Sequence, residues 1–181
     1  MSADPIDLLA AVLSRTQAVV DAITPAQADR RTPCPDWTVR DLVGHLLVDN
    51  ANFRLRAEGG QPDWTRGPVD PGTNWSDAFR AGADALMGAW RSHPPDPDGP
   101  VAGQTIAEFA IHTWDLERAT GQSPGIDEAA AEFAATWMRR ALKPEYRGRG
   151  FGAEQAVPAN ARSWERLVAF SGRDPAWTAP A

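Results

Sequence analysis

The segment AEFAIHTWDLERATG, residues 107–121, combines helical periodicity with an unusual line of polar side chains. At 100° per residue, Glu108, His112 and Asp115 fall within about 60° of one another on one face of the predicted helix. Apolar side chains border this polar stripe on both sides: Phe109, Ile111 and Leu116. A stripe exposed to water would sit among charged residues instead. We therefore expect the three polar side chains to face the protein interior.

The rest of the chain shows the same helical pattern, with Pro- and Gly-rich loops between the helices. Apolar spacing and capping residues predict helices over residues 5–22, 38–57, 75–92, 127–142 and 161–170, around a fourth helix that ends at Gly121. Residues 93–104 are predicted to form a loop, and residues 58–73 a crossover connection between bundle helices. Because no segment alternates apolar and polar residues, the chain is predicted to be all-α.

A chain of 181 residues is long enough for one well-packed core but short for two. We expect residues 1–142 to form a helical bundle that carries the functional site. Residues 143–181 are rich in Gly and Arg at their start and are expected to form a C-terminal tail packed on that bundle. Both parts are assigned to the same domain.

Bulk composition disfavours several classes of function. The 18 basic and 24 acidic residues give a net charge of −6, and the basic residues form no cluster, so nucleic acid and anionic membranes are poor partners. The first residues lack the charge pattern of a signal peptide, and no apolar run approaches the roughly 18 residues of a membrane span. The single cysteine, Cys34, cannot form an internal disulfide. We therefore expect a cytoplasmic protein.

The negative charge of a buried polar stripe must be balanced by a cation or by hydrogen-bond donors. A Glu and a His four residues apart on a helix often form only a surface pair, worth about 0.2–0.5 kcal/mol. A buried carboxylate needs a cation or several donors, and no Arg or Lys lies on the same face. A divalent metal ion would meet this need. His45 is the candidate third ligand, since it shares a face of the second helix with Asp41, Asp49 and Asn52.

Three segments together resemble a known family. They are TPCPDWTVRDLVGHLL at residues 32–47, AEFAIHTWDLERATG at 107–121 and RLVAFSGRDPAW at 166–177. The combination resembles actinobacterial metal-binding proteins related to the N-terminal domain of mycothiol-dependent maleylpyruvate isomerase, in the DinB/YfiT-like superfamily. The resemblance implies a four-helix bundle with an up-down-down-up course, here extended by an additional helix and an irregular C-terminal tail. It also makes a homodimer a reasonable expectation.

The resemblance further implies a ligand set. Family members hold a divalent metal with a histidine early in the second helix and an ExxxH pair in the fourth, which correspond here to His45, Glu108 and His112. Zinc is the first expectation and nickel the second. Three protein ligands leave a coordination position for water or a substrate, as in catalytic zinc sites.

A metal held in this way could activate either water or a thiol, and the resemblance to mycothiol-dependent proteins implies the thiol. It implies a metal-dependent enzyme that activates a low-molecular-weight thiol, of the mycothiol type, for transfer or isomerisation, with that thiol or an electrophilic substrate as its small-molecule partner. Two alternatives stay open. One is a metal-binding module without turnover, such as a sensor or carrier, and the other is a hydrolase that uses metal-bound water. The sequence predicts neither the substrate nor a catalytic residue beyond the ligands.

Other residues are candidates for secondary roles. Asp115 is expected either to fix a ligand imidazole by a hydrogen bond or to bond a neighbouring helix or the backbone beside Trp114. Asp49 and Asn52 either line the pocket beside His45 or are solvated. Arg149, in the segment YRGRGFG, either contacts an anionic substrate or lies in a surface loop. Cys34 has no His or Lys near it in sequence, so we expect a packing role rather than a nucleophilic one.

Overall fold

A computed structural model describes residues 3–148 and 150–180. Six α-helices follow in chain order: α1 Pro5–Asp21, α2 Val39–Ala57, α3 Trp75–Ser92, α4 Pro100–Thr120, α5 Glu128–Ala141 and α6 Ser163–Phe170. Two short 3₁₀ turns lie at Pro25–Gln27 and Pro144–Tyr146. Within the described residues there is no strand, only one isolated bridge between Arg31 and Thr38. The predicted all-α class is confirmed.

Polar side chains cap the start of three of the six helices. Asp4 accepts a hydrogen bond from the Ile6 backbone N–H at the start of α1. At the start of α2, Thr38 and Asp41 each accept from the other's backbone N–H, which is the reciprocal capping box. Asp127 caps α5 in the same manner as Asp4. These caps satisfy donors that the first turn of a helix leaves free.

The predicted loop over residues 93–104 is wrong in its second half. Helix α4 begins at Pro100, with Gly99 as its N-cap. Proline is well suited to the first helical position because its fixed φ matches the helix and its missing N–H is not needed there. Gly103 then packs flat against Trp137 of α5, where an added Cβ would lie 2.0 Å from the indole ring. Close packing of α4 on α5 thus extends the helix backward from the polar stripe.

The first four helices pack as a bundle. Helix α1 packs against α3 and α4, and α2 packs against the same two helices. Helices α2 and α4 run antiparallel, since His45 contacts Glu108 and Arg56 donates to Gln104. This arrangement is consistent with an up-down-down-up course, which itself stays a prediction.

Helix α4 lies at the centre of the molecule. It contacts α1, α2, α5 and α6, and its residues from Thr105 onward are almost all buried, including Asp115 and Glu117. The short helix α6 packs against α5 and also reaches α4, so the C-terminal tail lies against the bundle. The polar stripe of α4 therefore lies where other helices and the tail meet. No helix in the described part of the chain has the length and apolar character needed to cross a membrane.

Candidate metal centre

Three side chains from α2 and α4 converge between these helices. His45 lies on the second turn of α2, after the Thr38 cap, whereas Glu108 and His112 lie one turn apart on α4. Their ligand atoms all fall within 4.8 Å of one another. One oxygen, Oε1 of Glu108, lies 3.1 Å from Nε2 of His45 and 3.0 Å from Nε2 of His112. The antiparallel packing of α2 on α4 is what brings His45 to the ExxxH pair.

An indole ring covers the two imidazoles. The ring centre of Trp37 lies 4.4 Å from that of His45 and 5.8 Å from that of His112. The two imidazoles meet edge to face, with 4.9 Å between their centres. Trp37 immediately precedes the Thr38 cap, so the start of α2 places this aromatic side chain over the site. The contact limits the rotation of both rings.

The side chains of His45, Glu108 and His112 shift one another's pKa. Burial lowers the pKa of His45, but the adjacent carboxylates of Asp49 and Glu108 outweigh this and raise it to about 9. His112 is likewise buried, and Asp115 and Glu108 raise its pKa. Burial raises the pKa of Glu108, yet its hydrogen bonds and attraction to the two imidazoles lower it well below its usual range. Attraction between the Glu108 carboxylate and the two imidazoles therefore favours the charged form of each group.

Asp49 is a buried carboxylate that the imidazoles do not fully satisfy. It lies one helical turn after His45 and is only 3% exposed. Its Oδ2 is 3.0 Å from Nε2 of His45, which is ion-pair distance, and this oxygen has no hydrogen-bond partner among the described residues. Burial raises the pKa of Asp49. An unsatisfied buried carboxylate oxygen beside a ligand nitrogen is what a site built for a cation would contain.

Asp115 orients His112 through Nδ1 of the imidazole ring. Its Oδ2 lies 2.9 Å from Nδ1 of His112, the ring nitrogen that faces away from Glu108. The same carboxylate is paired with Arg173 of the C-terminal tail, at 3.1 Å between Nη2 and Oδ2. Asp115 thus bonds both the imidazole of His112 and the loop after α6. No Arg or Lys lies on the same face of α4, and the basic partner of Asp115 is Arg173, which is distant in sequence but adjacent in space.

Two cavities border the convergent side chains. A cavity of about 140 Å³ is open to His112 and Glu108 and is walled by Cys34, Phe151 and Arg173. We call it the inner cavity. A second cavity, of about 100 Å³, lies on the other side of Glu108 and is lined by Asp49, Asn52, Trp64 and Arg66, among others. Polar groups therefore reach small spaces on both sides of Glu108.

The remaining candidates differ in their surroundings. Asn52 is buried and bonds both backbone groups of Asp63, so it holds the long connection after α2 while lining the second cavity.

Cys34 lines the inner cavity, where burial, with the negative charge of Asp115, raises the pKa of its thiol to about 11. A thiol with that pKa is protonated at neutral pH, which agrees with the packing role. Arg149 lies outside the described residues, so its substrate role stays a prediction.

The donor set fits a divalent metal ion. Two imidazole nitrogens and a carboxylate oxygen are the ligands that zinc takes in many catalytic sites, and nickel and other first-row ions accept them as well. The short spacing of the three donor atoms, the unsatisfied Asp49 oxygen and the Asp115 bond behind His112 all agree with that use. Sequence reasoning missed Trp37 and Arg173 as neighbours of the site. The GRDP segment around Arg173 was a signal for the family rather than for a contact.

Comparison with known proteins gives matches over most of the chain. Residues 9–117 match the family described as the mycothiol maleylpyruvate isomerase N-terminal domain. Two uncharacterized proteins of Mycobacterium tuberculosis, from strains CDC 1551 / Oshkosh and ATCC 25618 / H37Rv, are each 29% identical to this chain, with 92% of each chain covered. No solved structure matches significantly. The matched span includes all three candidate ligands.

Proposed function

The chain belongs to the family of the mycothiol maleylpyruvate isomerase N-terminal domain, and from this premise we propose that it binds a divalent metal through His45, Glu108 and His112. We propose further that it is an enzyme that activates a low-molecular-weight thiol for transfer or isomerisation. The observation that carries the proposal is the convergence of three donor atoms within 4.8 Å beside a small cavity. Zinc is the expected ion, with nickel as the next candidate.

The residues of the site each have a defined task in this proposal. His45, Glu108 and His112 would hold the ion, and Trp37 would limit the movement of the imidazoles and exclude water. When bound, the ion would lower the pKa of a thiol in the open coordination position, so that the nucleophilic thiolate prevails near neutral pH. Asp115 would keep the Nδ1 proton of His112 in place, which leaves Nε2 free to bind metal.

The cavities indicate how a thiol would be accommodated. The inner cavity, at about 140 Å³, is smaller than the roughly 300 Å³ at which ligand pockets usually begin, so it would admit only the sulfur end of a molecule. An outer cavity of about 320 Å³ shares Cys34, Phe151 and Arg173 with the inner one. Asp36 and several glycines complete its wall. The body of a polar thiol would lie there, with its sulfur directed inward.

The small inner cavity also favours a second candidate function. A module that binds metal without turnover, as a sensor or carrier, needs no room for a substrate. A hydrolase acting through metal-bound water would need room for its substrate carbonyl as well. The two thiol-free alternatives are separated from the proposal by whether an added thiol reaches the metal.

Metal content is the first experiment. The wild-type protein and His112→Ala, both purified without a chelating tag, are analysed by elemental mass spectrometry, with Glu117→Gln as a control elsewhere on α4. We expect about one divalent ion per chain in wild type and control, and its loss in His112→Ala while the circular dichroism spectrum stays helical. Absence of metal from the wild type, even after reconstitution at neutral pH, would refute the proposal.

A second experiment tests the thiol. The cobalt-substituted protein is titrated with 2-mercaptoethanol and followed by near-ultraviolet absorption. A sulfur-to-cobalt charge-transfer band is expected if a thiol enters the open position. A cobalt spectrum that stays unchanged would refute thiol activation and leave the two thiol-free alternatives.

A further inference from the structure

We propose that Arg173 is a positioning residue, which couples the docking of the C-terminal tail to the geometry of His112. The inference rests on the proposed metal site, since it concerns how one ligand of that site is held. Arg173 has no hydrogen bond or ion pair with the three candidate ligands and would act through Asp115. Its position after α6, about sixty residues from His112, makes the link one of tertiary structure.

The contacts form a short continuous chain. Nη2 of Arg173 lies 3.1 Å from Oδ2 of Asp115, and its Nε lies 3.4 Å from Oδ1. Oδ2 of Asp115 in turn lies 2.9 Å from Nδ1 of His112. The third nitrogen of the guanidinium, Nη1, donates to the backbone carbonyl of Gly150 at 3.0 Å. One planar cation therefore joins α4, the segment that walls the inner cavity and the loop after α6.

Burial makes this cation necessary. Asp115 is fully buried and Arg173 is only 7% exposed. Without Arg173, the buried carboxylate would keep the imidazole as its only remaining strong partner and would lose the two contacts that fix its position. A displaced Asp115 no longer holds the Nδ1–H of His112 in one direction. The ring would then be free to turn away from the orientation in which Nε2 meets Glu108 and His45.

The loop that carries Arg173 is shaped for this contact. Gly172 has φ of +91°, a conformation that other residues rarely adopt. A Cβ at Gly172 would lie 2.4 Å from the backbone of Gly152, and the Gly152 N–H donates to the carbonyl of Ser171. The segment around residues 150–152, which walls the inner cavity, therefore packs directly on the loop of Arg173. Docking of the tail and closure of the cavity wall occur at the same contacts.

Because the link is thermodynamic, it must act in both directions. If the docked tail improves the geometry of His112 for metal, then bound metal must stabilise the docked tail by the same free energy. The inference thus yields two independent readouts. One is the metal affinity of variants at Arg173, and the other is the protection of the tail with and without metal.

The affinity experiment compares three variants of the full chain. Dissociation constants for zinc are measured by competition with a chromophoric chelator for wild type, Arg173→Gln, Arg173→Lys and Arg15→Gln. Arg15 is the matched control because it pairs at 2.7 Å with Glu117, another fully buried carboxylate of α4, away from the site. Loss of outer partners of a metal ligand typically weakens binding by about 10–100-fold. We expect that loss for Arg173→Gln, a smaller one for Arg173→Lys, and less than about threefold for Arg15→Gln.

A spectroscopic readout separates positioning from general destabilisation. In ¹⁵N-labelled protein, the Nδ1–H of His112 is expected to be visible and protected from exchange in wild type and Arg15→Gln, and to be lost in Arg173→Gln. This readout needs no metal, so it tests Arg173 even if the wild type binds none and the proposed function fails. Equal weakening of zinc binding by Arg173→Gln and Arg15→Gln, or an unchanged His112 signal, would overturn the inference.

The reciprocal experiment uses hydrogen exchange. Zinc is expected to slow amide exchange in α6 and the Arg173 loop of wild type, and to have no such effect in Arg173→Gln. Exchange of α1, which does not contact the site, serves as the internal reference. Tail exchange that zinc leaves unchanged in the wild type would contradict the coupling.

Discussion

Helix α4 carries carboxylates on two of its faces, and the two carboxylates are paired with different kinds of cationic group. On one face, Glu117 is fully buried and paired with Arg15 at 2.7 Å, and the backbone N–H of Gly125 donates to the same oxygen. On the other, Glu108 lies between His45 and His112 and has bonds to these imidazoles alone among the described residues. The first carboxylate has a permanent cation, whereas the second has partners that are charged only when protonated.

The difference separates a structural ion pair from a candidate site. A guanidinium keeps its charge at all ordinary pH values, so Glu117 always has a cation beside Oε1, although its Oε2 is buried without a hydrogen-bond partner among the described residues. An imidazole can give up its proton and offer a lone pair in exchange, and a metal ion can then replace two protons. Burial of charge is common to both faces, and only the nature of the partner distinguishes them.

The largest expected effect comes from removing each carboxylate in turn. Glu108→Gln should weaken zinc binding by more than about 100-fold, since loss of an outer partner alone costs 10–100-fold. Glu117→Gln should leave zinc affinity within about threefold but lower the free energy of unfolding by about 1–3 kcal/mol, because a charged hydrogen bond is lost. Chelator competition and urea denaturation of the metal-free proteins measure the two quantities. Similar losses of affinity in both variants would remove the distinction between the two faces.

The next effect is a dependence on pH. As the pH rises, the stability of the metal-free protein should fall, whereas its affinity for zinc should rise. The pKa of His45 is raised to about 9 in the folded protein, against about 6.5 when unfolded. Its contribution to stability is therefore complete below about pH 6.5 and is lost as the pH rises toward 9. By linkage this amounts to something on the order of 3 kcal/mol in the metal-free protein.

Zinc should reverse that trend, because metal binding must displace the imidazole protons. Between pH 6.5 and 9, zinc affinity is expected to rise while the stability of the metal-free protein falls. Thermal unfolding at several pH values, with zinc and with a chelator, measures both. In the variant His45→Gln, both stability and zinc affinity should depend less on pH than in the wild type. A wild-type zinc affinity that stays constant between pH 6.5 and 9 would argue against imidazole ligands.

The smallest expected effect concerns Cys34. Its thiol pKa is raised to about 11, chiefly by burial, so iodoacetamide should alkylate it much more slowly at pH 7.5 than it alkylates a free thiol in solution. Cys34→Ser should keep zinc affinity within about threefold, since the thiol is not among the converging donors. Rapid alkylation, or loss of zinc in Cys34→Ser, would make this side chain part of the site rather than part of its wall.

Local chemistry in the sequence accounts for most of the fold. Asp4, Thr38 and Asp127 cap their helices, and five of the six helices lie within two residues of their predicted limits. The exception is the start of α4, which lies at Pro100, inside the predicted loop, because proline suits the first helical turn. The prediction failed there because the contact of Gly103 with Trp137 is long-range.

The alignment of Glu108, His112 and Asp115 along α4 was determined by the sequence itself, because the repeat of a helix places residues three and four apart on one face. The sequence also indicated His45 as the partner, through the polar face of α2. Only the tertiary structure decided which cation meets which carboxylate: Arg15 pairs with Glu117, and Arg173 from the far end of the chain pairs with Asp115. The physical reason is that periodicity acts within a helix, whereas pairing of buried charges depends on how separate helices and the tail pack against one another.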